Sequence, residues 1–577
     1  VLAGEPQRTA ALSAELARVF LPNRMLVQLH DAEARALAPE SLIAGKDAGL
    51  YVCRDFVCKK PVTDPKEVVA ALEGDRHLAV SQRSARFDRR TEGRATPEGT
   101  QRLAKRHKLA YTELGTTKLC ASRIGFGGYR VDDQNPIFAQ ALSQALEAGV
   151  NLVDTSTNYT DGGSERLIGR TLVSQKRDEV IVVSKIGYVQ GKNLEIAESR
   201  KREGKPFPEM VEFAEGIWHC IHPEWLADQL ERSLDRLGLE TLDVCLLHNP
   251  EYFLADAEKR GTLTEQTRAE FYDRLERAFG FFETQVKEGR IGFYGVSSNT
   301  VAHSIQTDPE ATELPRMLEA ARRAGGDEHH FRVLQLPLNL LESEAALEPI
   351  AGEDTLLAYA KKNGVGVLVN RPLNAIVRES MLRLADIAAA PLSEPANFEA
   401  LRRLERRFAE TQNLTVAGGI PAKDLFRWGE ELAAIEDQIE TLEQYEHVAR
   451  GQILPHVGQA LALVERALPA SERDAWTSWR TEYIRALEGV LAALRAQVAV
   501  RAKKRVDQVK SALEPLIPAA RLGASLSQKA LWALLGTDGV DVVLLGMRRP
   551  NYVSDALPVL EWAAPRDAAA LYRSLKP

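Results

Sequence analysis

The stretch NLVDTSTNYTDGGSERLIG, residues 151–169, opens on a short apolar run, 151–154, that reads as a buried strand ending on Asp154; the loop behind it carries Tyr159. Immediately upstream, residues 136–148 have a helical pattern that begins at Pro136 and is closed by Gly149, a residue suited to the C′ position. The alternation continues in both directions. Apolar runs at 123–126, 179–184, 242–248, 291–297, 332–337, 365–370 and 540–545 are separated by amphipathic stretches such as 223–237, 269–287 and 526–535. Gly364 precedes the seventh run as Gly149 precedes the second. Strands alternating with helices in this way predict an α/β protein of the (β/α)8 barrel class, a closed parallel sheet with helices outside. The competing arrangement, an open doubly wound sheet, calls for a G-x-G-x-x-G turn after its first strand. Gly125, Gly127 and Gly128 do not have that spacing.

The 577 residues would suggest about four domains at roughly 150 residues each, although a barrel can use 250 or more as one. Hydrophobic residues at 45% and charged residues at 27% exclude a mostly disordered, collagen-like or coiled-coil chain. With 74 Lys and Arg against 81 Asp and Glu, the net charge of −7 argues against nucleic-acid binding by bulk positive charge. No apolar run reaches the eighteen or so residues of a membrane span, and no secretory leader is visible. Of the five cysteines, Cys53 and Cys58 lack the tight paired spacing of a zinc site or of a C-x-x-C redox pair, and Cys120, Cys220 and Cys245 are scattered. No metal is expected, and the thiols read as reduced residues of a cytoplasmic protein.

Three segments stand apart from the barrel rhythm. Residues 1–85 read as a small mixed α/β piece, with helices at 9–20 and 64–72 and strands at 24–28 and 49–54. Residues 86–110, around SARFDRRTEGRATPEGTQRLAKRHK, are rich in Arg and Lys with little apolar periodicity. They read as a basic linker rather than a nucleic-acid arm, for which interleaved aromatics are missing. Residues 380–520 interrupt the barrel between its last two strands with helical stretches such as FEALRRLERRFAETQ and WGEELAAIEDQIETLEQYEHVARGQ. A bundle packed on itself is the plain reading of this insertion; a lid, or a module for a protein partner or self-association, is the sharper one.

Residues at the C-terminal ends of barrel strands face one mouth. Here those ends bring an acid (Asp154), a phenol (Tyr159, on the following loop), an amine (Lys185, in VVSKIG) and an imidazole (His248, in LLHNPE). Such a set suits proton donation to a carbonyl that receives a hydride. A free phenol titrates near 10, and a lysine cation beside it favours the phenolate and lowers that value. An aspartate keeps the ammonium in place, and a histidine orients the substrate oxygen.

With these residues go the words YTELGTTKLCASRIGFGG, VVSKIG, IHPEWLADQLERSLDRLG, LDVCLLHNP and IGFYGVSSN, and on them residues 111–577 resemble an aldo-keto reductase. The resemblance implies an N-terminal hairpin, here 111–114 and 118–121 with Gly115 in its turn. It also implies a nicotinamide-dependent interconversion of a small-molecule carbonyl and alcohol without a Rossmann fold, the cofactor read as NADP(H) from Arg548 and Arg549. It carries the catalytic tetrad onto Asp154, Tyr159, Lys185 and His248. Nicotinamide contacts would fall on Ser297, Ser298 and Gln335, with Gly127, Gly128 and Tyr129 by the ribose. In LVNRPLNAI, Asn370, Arg371 and Leu373 match a segment that usually supplies an aromatic platform for the ring, which Asn370 lacks. The adenine end would be held by Gly546, Arg548, Arg549 and Asp555 in VVLLGMRRPNYVSDAL. Two adjacent guanidiniums can pair with a 2′-phosphate, favouring NADP over NAD; two solvated arginines at a helix start are the plain alternative.

RVFLPNRMLV and GLYVCRDFVCKKPVTDPKEVVAAL resemble the C-terminal tail of thioredoxin-domain proteins related to spermatogenesis-associated protein 20. No activity follows from that tail. With Val1 in place of methionine, it suggests a fragment of a longer fusion. The alternative function is a cofactor-binding redox sensor or scaffold with little turnover. The enlarged loops after the third strand (188–220) and the seventh lie on the side of the mouth, so the insertion is expected to cover it, and Trp218, His219 and Trp225 either line the pocket or belong to the core.

Overall fold

The computed structural model describes residues 90–577 except 378–379, 388–395, 413, 418 and 577, together with short paired segments of the first 89. The chain divides into two units, Val1–Arg89 and Arg90–Pro577. In the first, Leu2–Ala3 pairs in parallel with Gln28–Leu29 and antiparallel with Gly49–Leu50, and Cys53–Arg54 pairs antiparallel with Val57–Cys58. The helices expected over 9–20 and 64–72 lie outside the described residues, as does most of the strand expected over 24–28.

In the second unit the barrel strands are β1 (Ile124–Gly127), β2 (Leu152–Asp154), β3 (Ile181–Ile186), β4 (Leu242–His248), β5 (Ile291–Ser297), β6 (Phe331–Pro337), β7 (Gly366–Asn370) and β8 (Val542–Leu545). They close in sequence order, every pairing parallel. All eight expected strands are present within two residues of their expected bounds, because a doubly covered strand announces itself as a short apolar run. Alternation sorts their side chains. Leu152, Ile181, Val183, Val244, Leu246, Val333, Leu368, Val542 and Leu544 fill the barrel interior. Val153, Val182, Leu247, Val296, Leu334, Val367 and Val543 pack outward against the helices. Gly149 (φ +107°) and Gly364 (φ +69°) sit just past helix ends in the left-handed region, as expected of C′ residues.

The floor is closed by the hairpin Tyr111–Glu113 with Cys120–Ser122, whose connection plants Leu114 and Leu119 in the interior cluster. The expected basic linker needs correction here. Residues Pro97–Arg106 are an α-helix, capped by Thr96 Oγ1 accepting from the Gly99 amide at 2.9 Å and docked through buried Thr100 and Leu103. Arg102 and Arg106 bind Glu179 at 3.0 and 2.6 Å, and the Ala95 amide donates to Asp243 at 2.6 Å. The positive charge of this stretch meets acids some seventy-five residues away in sequence, so local composition reads as solvated linker what is a docked helix.

The insertion is a bundle with its own core. Helices Phe398–Thr411, Trp428–Ile435, Leu454–Ala467 and Arg473–Leu513 bury Leu401, Phe408, Phe426, Leu432, Val464 and Leu494, with Trp476, Trp479 and Tyr483 stacked in series. The last helix, 41 residues and so about 60 Å long, carries Val506, Val509 and Leu513 out of that core and into the barrel's outer one. Among the described residues no helix is long and apolar enough to cross a membrane.

Candidate active site

The parity that packs the barrel also aims its last side chains. Leu152 points inward, so Asp154 does; Ile181 and Val183 point inward, so Lys185 does. By the same count His248 follows Val244 and Leu246, Gln335 follows Val333, and Asn370 follows Leu368. Strand pairing then gathers these residues at one end of the barrel: His248 and Gln335 both stand level with Ser297, while Asp154 pairs with Val183, Lys185 with Leu246 and Gln335 with Leu368, a stagger of two residues from strand to strand.

Lys185 Nζ is the hub. It lies 2.8 Å from Asp154 Oδ2, 2.8 Å from the Thr155 carbonyl oxygen and 3.2 Å from the Tyr159 hydroxyl, with 0% of its surface exposed. Gln335 Nε2 donates to the other Asp154 oxygen at 2.8 Å. The His248 ring stands edge-on to Tyr159 with centroids 5.8 Å apart. His248 Nδ1 is 2.9 Å from Ser156 Oγ, and its backbone carbonyl accepts from His219 Nε2 at 2.7 Å. The loop after β3 is a small three-stranded sheet of Tyr188–Val189, Ile217–His219 and Val211–Ala214, and it seats Tyr188 against the His248 ring. Several residues in the loops at this end hold positive φ without being glycine: Arg130, Thr160, Asp161, Asn249 and Arg371. Such strain concentrates where loops are held for function.

Burial is the leading electrostatic influence. It pushes the Tyr159 phenol above 10, against the pull of Lys185 toward phenolate, so the lowered value expected from the sequence is overturned by enclosure. Burial works to lower Lys185, but Asp154 and Tyr159 outweigh it and hold the ammonium above its ordinary range. Burial, then Lys185 and His219, depresses His248 well below 6.5, and burial takes His219 to about 4, so both imidazoles are neutral at pH 7.

Residues 123–417, just over half of the chain, match the aldo/keto reductase family. The chain belongs to that family. Its similarity to the NADH-specific methylglyoxal reductase of Escherichia coli (strain K12) is 28% identity over 163 residues, covering 26% of this chain and 46% of the relative. To the aldo-keto reductase YhdN of Bacillus subtilis (strain 168) it is 24% identity over 270 residues, 45% of this chain and 61% of the relative. The chain thus spans about half the length of the curated relatives it matches. Aldo-keto reductase AKR11C1 from Bacillus halodurans (holo form) superposes with a TM-score of 0.43 at 15% identity, covering 81% of this chain and 97% of that one.

A cavity of about 760 Å3 is lined by Asp154, Tyr159 and His248, with Lys185 enclosed behind them, and bears on the family's remaining expected residues. Gly127, Tyr129, Asn370, Arg371, Leu373, Gly546 and Arg548 line it. Gly128 does not, but a side chain there would meet Ser164 Oγ and the Asp154 carbonyl, 2.6 and 2.7 Å from its Cβ. Ser297 and Ser298 are buried behind the wall, bonded to Gln335 Oε1 (3.2 Å) and Thr312 (3.1 Å), and the next residue, Asn299, reaches the cavity instead. Arg549 and Asp555 also lie off the cavity: Arg549 is exposed at a helix start, and Asp555 accepts from Gln528 at 3.3 Å. None of Trp218, His219 and Trp225 lines it; Trp225 is core, packed on Phe207. Sequence reasoning missed Arg130 and Arg383. With Arg548 they crowd one end of the cavity, and after burial these two positive neighbours depress the Arg548 guanidinium. Arg383 comes from the hairpin Asn374–Val377 with Ser380–Arg383 at the insertion's root and is held by Glu443 at 2.6 Å. Among the described residues the insertion reaches the cavity only through Met381 and Arg383 of this hairpin, so the expectation that its helices cover the mouth is replaced by a hairpin wall.

Proposed function

We propose that the chain is an NADP(H)-dependent oxidoreductase that interconverts a carbonyl and an alcohol, with Tyr159 as the proton donor. The observation that carries this reading is the enclosed ammonium of Lys185 reaching both Asp154 and the Tyr159 hydroxyl, two groups that themselves line an open cavity. The residues present fit a phosphorylated dinucleotide. Arg130, Arg383 and Arg548 supply positive charge at one end, and near the tetrad the Asn370 side-chain oxygen is a buried acceptor without a partner, suited to a primary carboxamide. Cofactor choice would then differ from that of the relative named NADH-specific.

When bound, the dinucleotide supplies hydride to the carbonyl carbon. The chain's own residues manage the proton and the oxygen. Tyr159 gives its hydroxyl proton to the substrate oxygen, and Lys185 favours the phenolate left behind. Asp154, fixed by Gln335, keeps the ammonium charged and in place. His248, neutral, holds the substrate oxygen by a hydrogen bond without competing for the transferred proton. The test is NADPH absorbance with a panel of aldehydes and sugars. Tyr159→Phe should abolish turnover while NADPH binding stays nearly intact, and turnover like the parent's in that variant overturns the mechanism. Tight NADPH binding with no consumption by the parent protein would instead favour a cofactor-binding sensor.

A further inference from the structure

A chain of three side chains leads away from His248 and has no part in the tetrad. His248 Nδ1 lies 2.9 Å from Ser156 Oγ; Ser156 Oγ lies 2.7 Å from Asn158 Oδ1 and 3.3 Å from the Lys185 carbonyl oxygen; Asn158 Nδ2 lies 3.0 Å from Gln190 Oε1. Ser156 is fully buried and has one proton to give. The direction in which it gives that proton decides which nitrogen of the neutral His248 carries the ring proton. With the Asn158 oxygen toward Ser156, the hydroxyl donates to Asn158, His248 donates from Nδ1, and Nε2 is bare. With the Asn158 and Gln190 amides turned over, at the same distances, Asn158 donates to Ser156, Ser156 donates to Nδ1, and Nε2 bears the proton. Only the second state lets His248 donate to a substrate oxygen, and the same state serves both directions of the reaction because they share one transition state.

We propose that Ser156, backed by Asn158, is a positioning residue that places the ring proton of His248 on Nε2 by donating its hydroxyl hydrogen to Nδ1. The proposal rests on the oxidoreductase reading for its consequence in turnover, but not for the tautomer itself. Asn158→Asp and Asn158→Leu are nearly isosteric and pull in opposite senses. At pH 8 the aspartate only accepts, takes the Ser156 proton and leaves Nε2 bare, so kcat/KM should fall about 100-fold in both directions. The leucine frees Ser156 to donate to Nδ1, and the loss should be smaller than with aspartate. A purely structural role predicts the reverse order, since leucine removes every hydrogen bond. Ser156→Ala should cost about 10-fold, restored in part by Ser156→Thr.

The second readout needs no turnover. In 15N spectra of histidine-labelled protein, His248 Nε2 should be pyrrole-type and Nδ1 pyridine-type, and Asn158→Asp should exchange them. A parent protein with the proton on Nδ1, or with an imidazolium at pH 7, overturns the proposal, as does a larger loss with leucine than with aspartate. A parent with the expected spectrum and no carbonyl turnover would leave the tautomer assignment standing and sink the oxidoreductase reading.

Discussion

Replacing Lys185 by methionine keeps most of the side-chain volume and removes one charge from a fully enclosed pair. At 2.8 Å and an effective dielectric near 20, the attraction to Asp154 is about 6 kcal/mol before desolvation offsets it. A single deletion exposes what the pair was covering: a buried carboxylate left with Gln335 Nε2 as its remaining close donor, and a Thr155 carbonyl without its ammonium. Uncompensated buried charges of this kind cost about 3–5 kcal/mol. For a unit that runs from Arg90 to Pro577, whose unfolding entropy is about 1 kcal/mol/K, that is a fall of roughly 3–5 °C in the main unfolding transition. The penalty should depend on pH in a definite sense. Without Lys185, burial leaves the Asp154 carboxyl titrating well above its unfolded value, so the folded state binds the extra proton. Stability is then retained below the unfolded carboxylate pKa, near 3.9, and is lost as pH rises through the folded one. The variant should therefore lie closer to the parent protein at pH 5 than at pH 8. Adding Asp154→Asn, which removes the second charge, should recover most of the lost stability and none of the activity. Thermal and denaturant unfolding of the four-member cycle measures this directly. If Lys185→Met is as stable as the double variant at pH 8, Asp154 and Lys185 are not a buried ion pair and the electrostatic account of the site fails.

In pH profiles of the free protein, the proton-donating limb belongs to a phenol held above 10, so carbonyl reduction should not decline until pH passes that value; a basic limb near pH 7–8 in kcat/KM would contradict the burial argument. Arg383→Ala and Arg548→Ala should each raise KM for NADPH about 10- to 100-fold with little change for NADH, while Arg549→Ala should change neither by more than about 2-fold; equal effects on the two cofactors would remove the phosphate assignment. Gly99→Ala puts a methyl carbon 2.1 Å from the Asp178 carbonyl oxygen, so unfolding should show a loss of about 1–3 kcal/mol; a neutral substitution would mean that residues 97–106 are not docked.

The fold and the gathering of the strand-end residues were legible for one reason. A barrel strand covered on both sides is a short apolar run, and its inward parity, once set by packing, also names the residue at its mouth. That arithmetic reaches Asp154, Lys185, His248, Gln335 and Asn370 without any long-range information. It reaches Tyr159 only through the local words around it, because a loop has no parity. Ser297 shows where the arithmetic stops: parity aims it inward, yet its hydroxyl is taken up by Gln335, and the cavity wall is made by Asn299.

The sequence by itself therefore determined the closed parallel barrel, the ends of its strands and the placing of Asp154, Lys185 and His248 there, since each depends on periodicity within a few residues, with Tyr159 added by the words of its loop. The tertiary structure decided three further things. It docked 97–106 as a helix on Glu179, it set Arg130 and Arg383 beside Arg548, and it pushed the Tyr159 phenol up rather than down. Each depends on which distant groups share a small volume, and on how much water that volume excludes, and neither is written in the spacing of any one segment.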